Sequence, residues 1–512
     1  MGRRKSRRSS NGNVRCFNIL LNPSIVRPAS RPLRGLLGVF SVHVLLILAA
    51  CSSATNHYLL VEERLLSGDI RGADHIVEEA EADYGVKSRV LYYMDRGMTL
   101  HLAGQYQVSN SVLEQAELDV EHLYTRRVRI EAAAFLTSDA NLSYEGDAYE
   151  QTMINVVKAL NYAVMENWNE ALVEARRLDH RLNVLKDRTS GKDGYRDDAF
   201  ARYLSGLLYE IAGDLNNAFI AYRNAYEEYR AIRSWSHTPV PPILRADLLR
   251  MSEALHLEQE QEKYRREFSE TIWRPYAETQ PLVHVVVVTY NGRAPRKEDL
   301  MIDVPVSLDA LRLVLLTKLP PHSNSKERRA VESVLYGLNG HIARIAIPTL
   351  VPQKTRVRYA TVDVLSGSAS IVARSELMHN LTAVAERTLS DQLAGISVKA
   401  VARAVTKYAL ADGMRQGAKA AVGSDKNAAH VVGFLVGALA HAVAIASEEA
   451  DTRSWRTLPD EIHVARLWLP AGNYELRVHS KGQNGEMVGQ ARRRAVTLRG
   501  GETMVITERV LP

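Results

Sequence analysis

No proline occurs from residue 52 to residue 238, and over that span apolar residues recur three and four apart. Such a stretch is confined to helices, because that spacing is the helical period and proline would break it. A pattern recurs inside the span. Its fullest copy runs from Arg202 to Ala225 and sets Gly206, Tyr209, Gly213, Ala218, Tyr222 and Ala225 in small, aromatic, turn, small, aromatic and small places. A second copy carries Gly97, Leu100, Gly104, Tyr106, Ser109, Leu113 and Ala116, and a third carries Ala159, Tyr162, Trp168, Ala171 and Ala175. A trailing half holds Gly68, Ala73, Val77 and Ala80. Small residues let two helices touch, aromatics fill the space beside them, and glycine ends the first helix in a left-handed turn.

These offsets resemble those of tetratricopeptide (TPR) repeats. The half copy precedes the second copy by 36 residues, close to the TPR period of about 34. The other intervals, 62 and 47 residues, require inserted helices or degenerate repeats. The alternative is an irregular helical bundle in which the same residues are core. The expected fold is α+β, an N-terminal TPR-like α-solenoid followed by a small β-sandwich-like domain with an inserted helical hairpin. Residues 51–275 form the first part, 281–380 and 455–512 the second, and 381–450 the insertion.

His237 to Pro242 interrupts the helices, which resume at Ile243 and end in the charged run Glu258 to Glu267. Leu282 to Tyr290 (LVHVVVVTY) is a β-branched strand, and Asn291-Gly292 after it signals a tight turn. Further strands are expected at Ile342–Ile347, Arg356–Val364, Ile462–Leu469, Tyr474–Val478, Ala495–Leu498 and Met504–Val510. Leu469-Pro470-Ala471-Gly472-Asn473-Tyr474 resembles the turn of PEGA-type β modules, in which a short strand pair meets at Pro-x-Gly. In the insertion, Val398, Val401, Val405 and Tyr408 mark one helix face, with Arg403 turned elsewhere. Asn427 to Ser447 carries no charge and contains Gly433 and Gly437 four apart. Length and small residues allow a membrane span, but the alanine and histidine content favours a buried or partner-facing hairpin with Gly433 and Gly437 as helix contacts.

The N-terminus is built differently. Nine cations and no acid precede an apolar run from Gly35 to Ala50, and the first acid is Glu62. A basic lead, a short apolar core and small residues before a cleavage point make a secretory signal. Leu48-Ala49-Ala50-Cys51 resembles a bacterial lipobox, which implies cleavage before Cys51 and acylation of that residue. Ser52 stands where aspartate would retain a lipoprotein at the inner membrane, so the periplasmic face of the outer membrane is expected. The basic leader is long, as a start codon assigned too far upstream would make it. An uncleaved helix is the alternative, though sixteen apolar residues fall short of the roughly 20 a span needs.

The whole-chain charge of +6 misleads. Residues 1–50 hold nine of the 65 cations, so the mature chain has 56 against 59 acids, a charge of −3. That balance does not suit nucleic acid. Cys16 lies in the signal, which leaves Cys51 as the one mature cysteine and excludes internal disulfides and cysteine metal sites. No HExxH, GxSxG, Walker or GxGxxG pattern occurs. Ser323 and Lys326 have SxxK spacing without KTG or SDN partners, and His430 and His441 are too far apart to share a metal. No cofactor and no catalytic residue is expected.

Three polar stretches stand out among the helices: Asn141 to Tyr149 (NLSYEGDAY), Lys158 to Tyr162 (KALNY) and Val173 to Arg177 (VEARR). With Asn291 to Lys297 (NGRAPRK) and Arg453 to Pro459 (RSWRTLP), they resemble a widespread family of Gram-negative outer-membrane lipoproteins with TPR-like repeats. The resemblance spans nearly all of residues 51–470 and implies no defined reaction. It implies a lipid-anchored adaptor that binds protein partners in the cell envelope, with oligomers left open. Two other readings compete: a pore-like membrane component using residues 427–447, and a peptidoglycan-active enzyme, whose Ser–Lys or carboxylate constellation is not found.

Overall fold

A computed structural model describes residues 56–134, 142–188, 198–305, 342–366, 369–421 and 449–510, all within one compact unit, Asn56–Pro512. Leu48, Ala49, Ala50, Cys51, Ser323, Lys326, His430, Gly433, Gly437 and His441 lie outside the described residues. The architecture is mixed α+β. Among the described residues no helix is long and apolar enough to cross a membrane.

Helices come in pairs: α1 (Asn56–Leu66) with α2 (Ile70–Glu79), then the short α3 (Glu81–Tyr84), α4 (Arg89–Leu102) with α5 (Tyr106–Ala134), α6 (Ala148–Val164) with α7 (Trp168–Arg188), α8 (Ala199–Ile211) with α9 (Leu215–Ser236), and α10 (Pro242–Ala254) with α11 (Glu258–Glu267). The short α12 (Tyr276–Thr279) follows. One device turns every pair. Gly68, Gly104, Glu166, Gly213 and His256 sit at φ of 79°, 76°, 57°, 80° and 52°. The next N–H in each case, from Asp69, Gln105, Asn167, Asp214 or Leu257, returns 2.9 Å to a carbonyl five residues back. This is the Schellman closure, which satisfies a carbonyl that the helix end would leave bare. Glycine takes the left-handed turn without strain; Glu166 and His256 hold it against a steric cost.

Within the pairs the glycines mark near-contact. A Cβ on Gly97 would lie 2.3 Å from Leu113 Cδ2, and one on Gly206 would lie 2.6 Å from the Tyr222 ring. Ala159, Ala171 and Ala218 are buried at comparable crossings.

The strands are β1 (Val283–Asn291), β2 (Arg293–Pro305), β3 (Ile342–Gln353), β4 (Tyr359–Ser366), β5 (Ala369–Arg374), β6 (Glu376–Asn380), β7 (Glu461–Leu469), β8 (Gly472–Lys481), β9 (Arg492–Leu498) and β10 (Thr503–Val510). They form two four-stranded sheets, β10-β1-β7-β6 and β5-β4-β8-β9, and a β2–β3 ribbon. Val283, Val285 and Val287 of β1 face Val362, Val364, Leu476 and Val478 of the other sheet. Val286, Val288 and Tyr290, alternating with them, join the core of the helices. Buried on both faces, β1 is apolar over most of its length, which is why the valines from Val285 to Val288 run unbroken. The layers are therefore helices, inner sheet and outer sheet.

One expectation changes. Pro470-Ala471-Gly472 does not close a strand pair: β7 belongs to the inner sheet and β8 to the outer, so the turn carries the chain across the sandwich. Asn291-Gly292 makes the tight turn expected of it, with Gly292 at φ 65°, and it leads from β1 into β2, which pairs with β3. Helix α13 (Leu381–Ala421) buries Ala400, Arg403 and Ala404 and leaves Val398 exposed and Val401 half-buried; the side chains of Val405 and Tyr408 lie outside those described. The stem of Arg403 tolerates burial.

Candidate functional site

Each first helix of four successive pairs points a carboxylate at the C-terminal half of the chain. From α4, Asp95 Oδ1 accepts the Thr457 hydroxyl at 2.9 Å and its N–H at 3.3 Å. Its other oxygen accepts the Tyr58 and Tyr84 hydroxyls at 3.0 and 2.9 Å. From α6, Glu150 Oε1 accepts the Trp455 N–H at 2.7 Å. Its Oε2 accepts the Asp147 N–H at 2.8 Å and the Tyr144 hydroxyl at 2.5 Å. The segment they hold, residues 451–459, is also tied by Arg453, which donates to the Leu142 carbonyl at 3.0 Å and the Lys87 carbonyl at 3.3 Å. Trp455 is buried completely enough to rank among the core's largest side chains.

From α8 and α10 come Glu210 and Asp247, and here the partner is charged. Arg466 of β7 donates to Asp247 at 2.6 Å and to Glu210 at 3.0 Å. Arg250 donates to the same two acids at 2.6 and 2.7 Å. Two cations and two anions thus close a neutral square. Tyr222 and Tyr203 add hydroxyl donors to Glu210 at 2.6 Å and Asp247 at 3.0 Å. Both guanidiniums also lie over the Trp468 ring, 4.8 and 5.0 Å from its centre, and His284 stacks on the same ring.

The two halves of this seam differ electrically. Burial pushes Asp95 up to about 6 and, with the charge of Asp147, Glu150 up to about 7. Burial would raise Glu210 too, but Arg250 and Arg466 beside it hold it well below the carboxylate range. Asp95, met only by hydroxyl and N–H donors, and Glu150, where Lys297 offsets only part of the effect of burial and Asp147, are shifted toward the protonated form; Glu210, between two guanidiniums, is held in the ionised one.

A second polar core braces α5, α6 and α7. The Lys158 ammonium reaches Glu117 at 2.8 Å, Glu174 at 3.1 Å, and Glu114. Arg177 joins all three acids and Arg181 joins Glu117, so three charges of each sign cancel. Burial opposes ionisation of Glu117, yet Lys158 holds it down to about 2. Beside this core His101 Nδ1 lies 2.5 Å from Asn161 Oδ1, and the Asn161 amide donates to Ser109 and Asn110.

The structure therefore gathers the polar stretches singled out in the sequence. Tyr144 donates to Glu150, the residue just past the first stretch and one that sequence reasoning missed, and Glu150 accepts from Trp455; Asp147 meets Lys297 at 2.8 Å; Lys158 and Arg177 share Glu114 and Glu174. Of the repeat residues, Tyr222 both fills the space beside Gly206 and donates to Glu210. Tyr209 donates to Asp179 at 3.3 Å, Tyr106 packs edge-on to His101, and Tyr162 is half-buried. Gly97 lies against Leu113, and its carbonyl accepts the Ser109 hydroxyl at 2.7 Å. Sequence reasoning missed Asp95, Glu210, Asp247, Arg250 and Arg466. Their signal is a charge at an interior place of an apolar run, as with Arg466 inside Glu461–Leu469.

A small niche lies between α8, α9 and β6, lined by Asp198, Trp235, Ser236, Met378 and His379. His379 Nε2 stands 3.6 Å from Asp198 Oδ2. No group of three metal-ligating side chains occurs among the described residues. The square at Arg466 is neutral, and the carboxylates of the seam are met by the chain's own donors, a chemistry of cohesion. Comparison with known proteins finds no matching family model, curated protein or solved structure.

Proposed function

We propose that this chain is a lipid-anchored scaffold on the periplasmic face of the outer membrane, acylated at Cys51, whose helix pairs form a TPR-like array that binds envelope proteins. The recurring left-handed turns and the close crossings at Gly97 and Gly206 support the repeat reading. The observation that carries the function is the fate of the first helices. Asp95, Glu150, Glu210 and Asp247 are all committed to the chain's own C-terminal half, so that face of the array is already filled.

Partners must then use the second helices. Val173 on α7 and Ile220 on α9 lie two residues beyond the buried Ala171 and Ala218, at matching places of successive pairs, and both are exposed. Aliphatic side chains repeated at one height offer a surface for another helix. A photo-crosslinking residue at either position should trap a discrete adduct in intact envelopes, which a glutamate at the other position weakens. Adducts identical to those from a probe at Arg493, on the exposed edge strand β9, would refute the surface. Cys51→Ser should accumulate as a precursor; normal processing would refute the anchor.

A further inference from the structure

The two ends of the helix array are finished differently. At the C-terminal end α11 is glutamate, glutamine, lysine and arginine around one ring, Tyr264, which is buried. That is how a last helix should look, since nothing stacks upon it. At the other end α1 exposes Leu59 to 60%, Leu60 to 45% and Leu66 to 42%. Leu59 and Leu66 are seven residues apart and share a face, with Leu60 beside them. These leucines are not spare core residues, because Val61 and Leu65 fill the inner side and Tyr58 donates to Asp95. The apolar end is also where the chain arrives from Cys51. Four residues separate Cys51 from Asn56, and five steps of roughly 3.5 Å give that tether a reach of no more than about 18 Å.

We propose that the leucine-bearing face of α1 rests in the interfacial layer of the membrane that holds Cys51. The inference rests on the lipid-anchor reading. An amphipathic helix lying in the plane of the interface buries its apolar side chains a few ångströms below the headgroups. Glu63 is exposed between Leu60 and Leu66, and Arg64 pairs with Asp69 at 3.1 Å. Glu63, three or four residues from each leucine, lies on their face and limits insertion: its carboxylate stays among the headgroups, so the leucines around it enter only the interfacial layer.

The test uses the full acylated chain in vesicles of phosphatidylethanolamine and phosphatidylglycerol. Acylation blocks Cys51, so Leu59→Cys, Leu66→Cys or Ile220→Cys each gives one thiol for an environment-sensitive dye. The dye at 59 and 66 should shift to the blue on vesicles and be quenched by brominated lipid, while the dye at 220 should not respond. Flotation measured in parallel keeps the two readings apart. A chain that floats with its dye at 59 still in water overturns the α1 surface and leaves the anchor standing. A chain that does not float overturns both. A dye at 59 shielded before vesicles are added, in a chain sedimenting as a dimer, gives the face to a second copy and also overturns the proposal.

Discussion

Replacing Glu150 with glutamine should erase a definable pH dependence. In the folded chain this carboxyl is raised from its ordinary 4.5 to about 7 by burial and then by Asp147. A carboxyl raised in this way binds its proton more tightly folded than unfolded. Its contribution is therefore most favourable below pH 4.5 and is lost as pH climbs from 4.5 to about 7. The ratio of proton affinities is about 300-fold, about 3 kcal/mol in full; between about pH 5 and about pH 8, about 70-fold or about 2.5 kcal/mol is sampled. Glutamine is neutral at every pH. It keeps the acceptor for Trp455 N–H but turns its amide toward Asp147 N–H, leaving that donor unpaired at a cost of about 1–3 kcal/mol. The variant should be weaker than the parent near pH 5, and the gap should close or reverse near pH 8. Amide exchange of peptides spanning residues 451–459 reads this directly, because the ratio of parent to variant protection cancels the intrinsic pH dependence of exchange. Asp95 titrates alike in both chains and cancels too. A ratio constant across that range would refute the reasoning.

Arg466→Met should cost about 3–5 kcal/mol in urea unfolding, since Arg250 alone would face two buried carboxylates. Lys158→Met should destabilise by less, because Arg177 and Arg181 remain to face Glu114, Glu117 and Glu174, and acid titration should show Glu117 displaced upward. Gly206→Leu should lose about 1–3 kcal/mol by overpacking Tyr222, with Gly206→Ala losing less; an unchanged melt would place the helix crossing elsewhere.

The helices and seven of the ten strands were legible because their signals are local. A proline-free run with a helical period, or a row of valines, declares itself within a dozen residues. The missed strands lacked such a signal. Arg293–Pro305 carries six charged side chains because it is half of an exposed ribbon, and β5 and β6 have six and five residues each. The seam was legible only as a list. YEGDAY, KALNY, VEARR and RSWRTLP stood out for their polarity, but nothing in their spacing says that Glu150 finds Trp455 across 305 residues. Pairing of that kind is decided by which helix faces which strand. The repeat pattern gave no sign that the chain's own sheet would pack against the first helices.

The contrast between the two halves of the seam implies an order of opening. Glu210 and Asp247 are paired with Arg250 and Arg466, which hold Glu210 well below the carboxylate range, so its part of the grip on β7 does not change charge between about pH 5 and about pH 8. Asp95 and Glu150 take N–H and O–H donors from residues 457 and 455; those bonds favour the ionised form, but burial outweighs them, so ionising destabilises the closed seam and is relieved where opening lets water reach the carboxylates. Raising the pH from about 5 to about 8 should therefore loosen residues 451–459 while leaving 461–469 nearly untouched. Both stretches belong to one continuous segment and share the helices as a wall, so a general loss of stability would move them together. Amide exchange should show protection of the first falling relative to the second by a factor that grows through pH 6 and 7, the range set by the two raised carboxyls. If the two stretches lose protection in parallel, the seam is one cooperative unit, and the division drawn between its paired and unpaired carboxylates has no mechanical consequence.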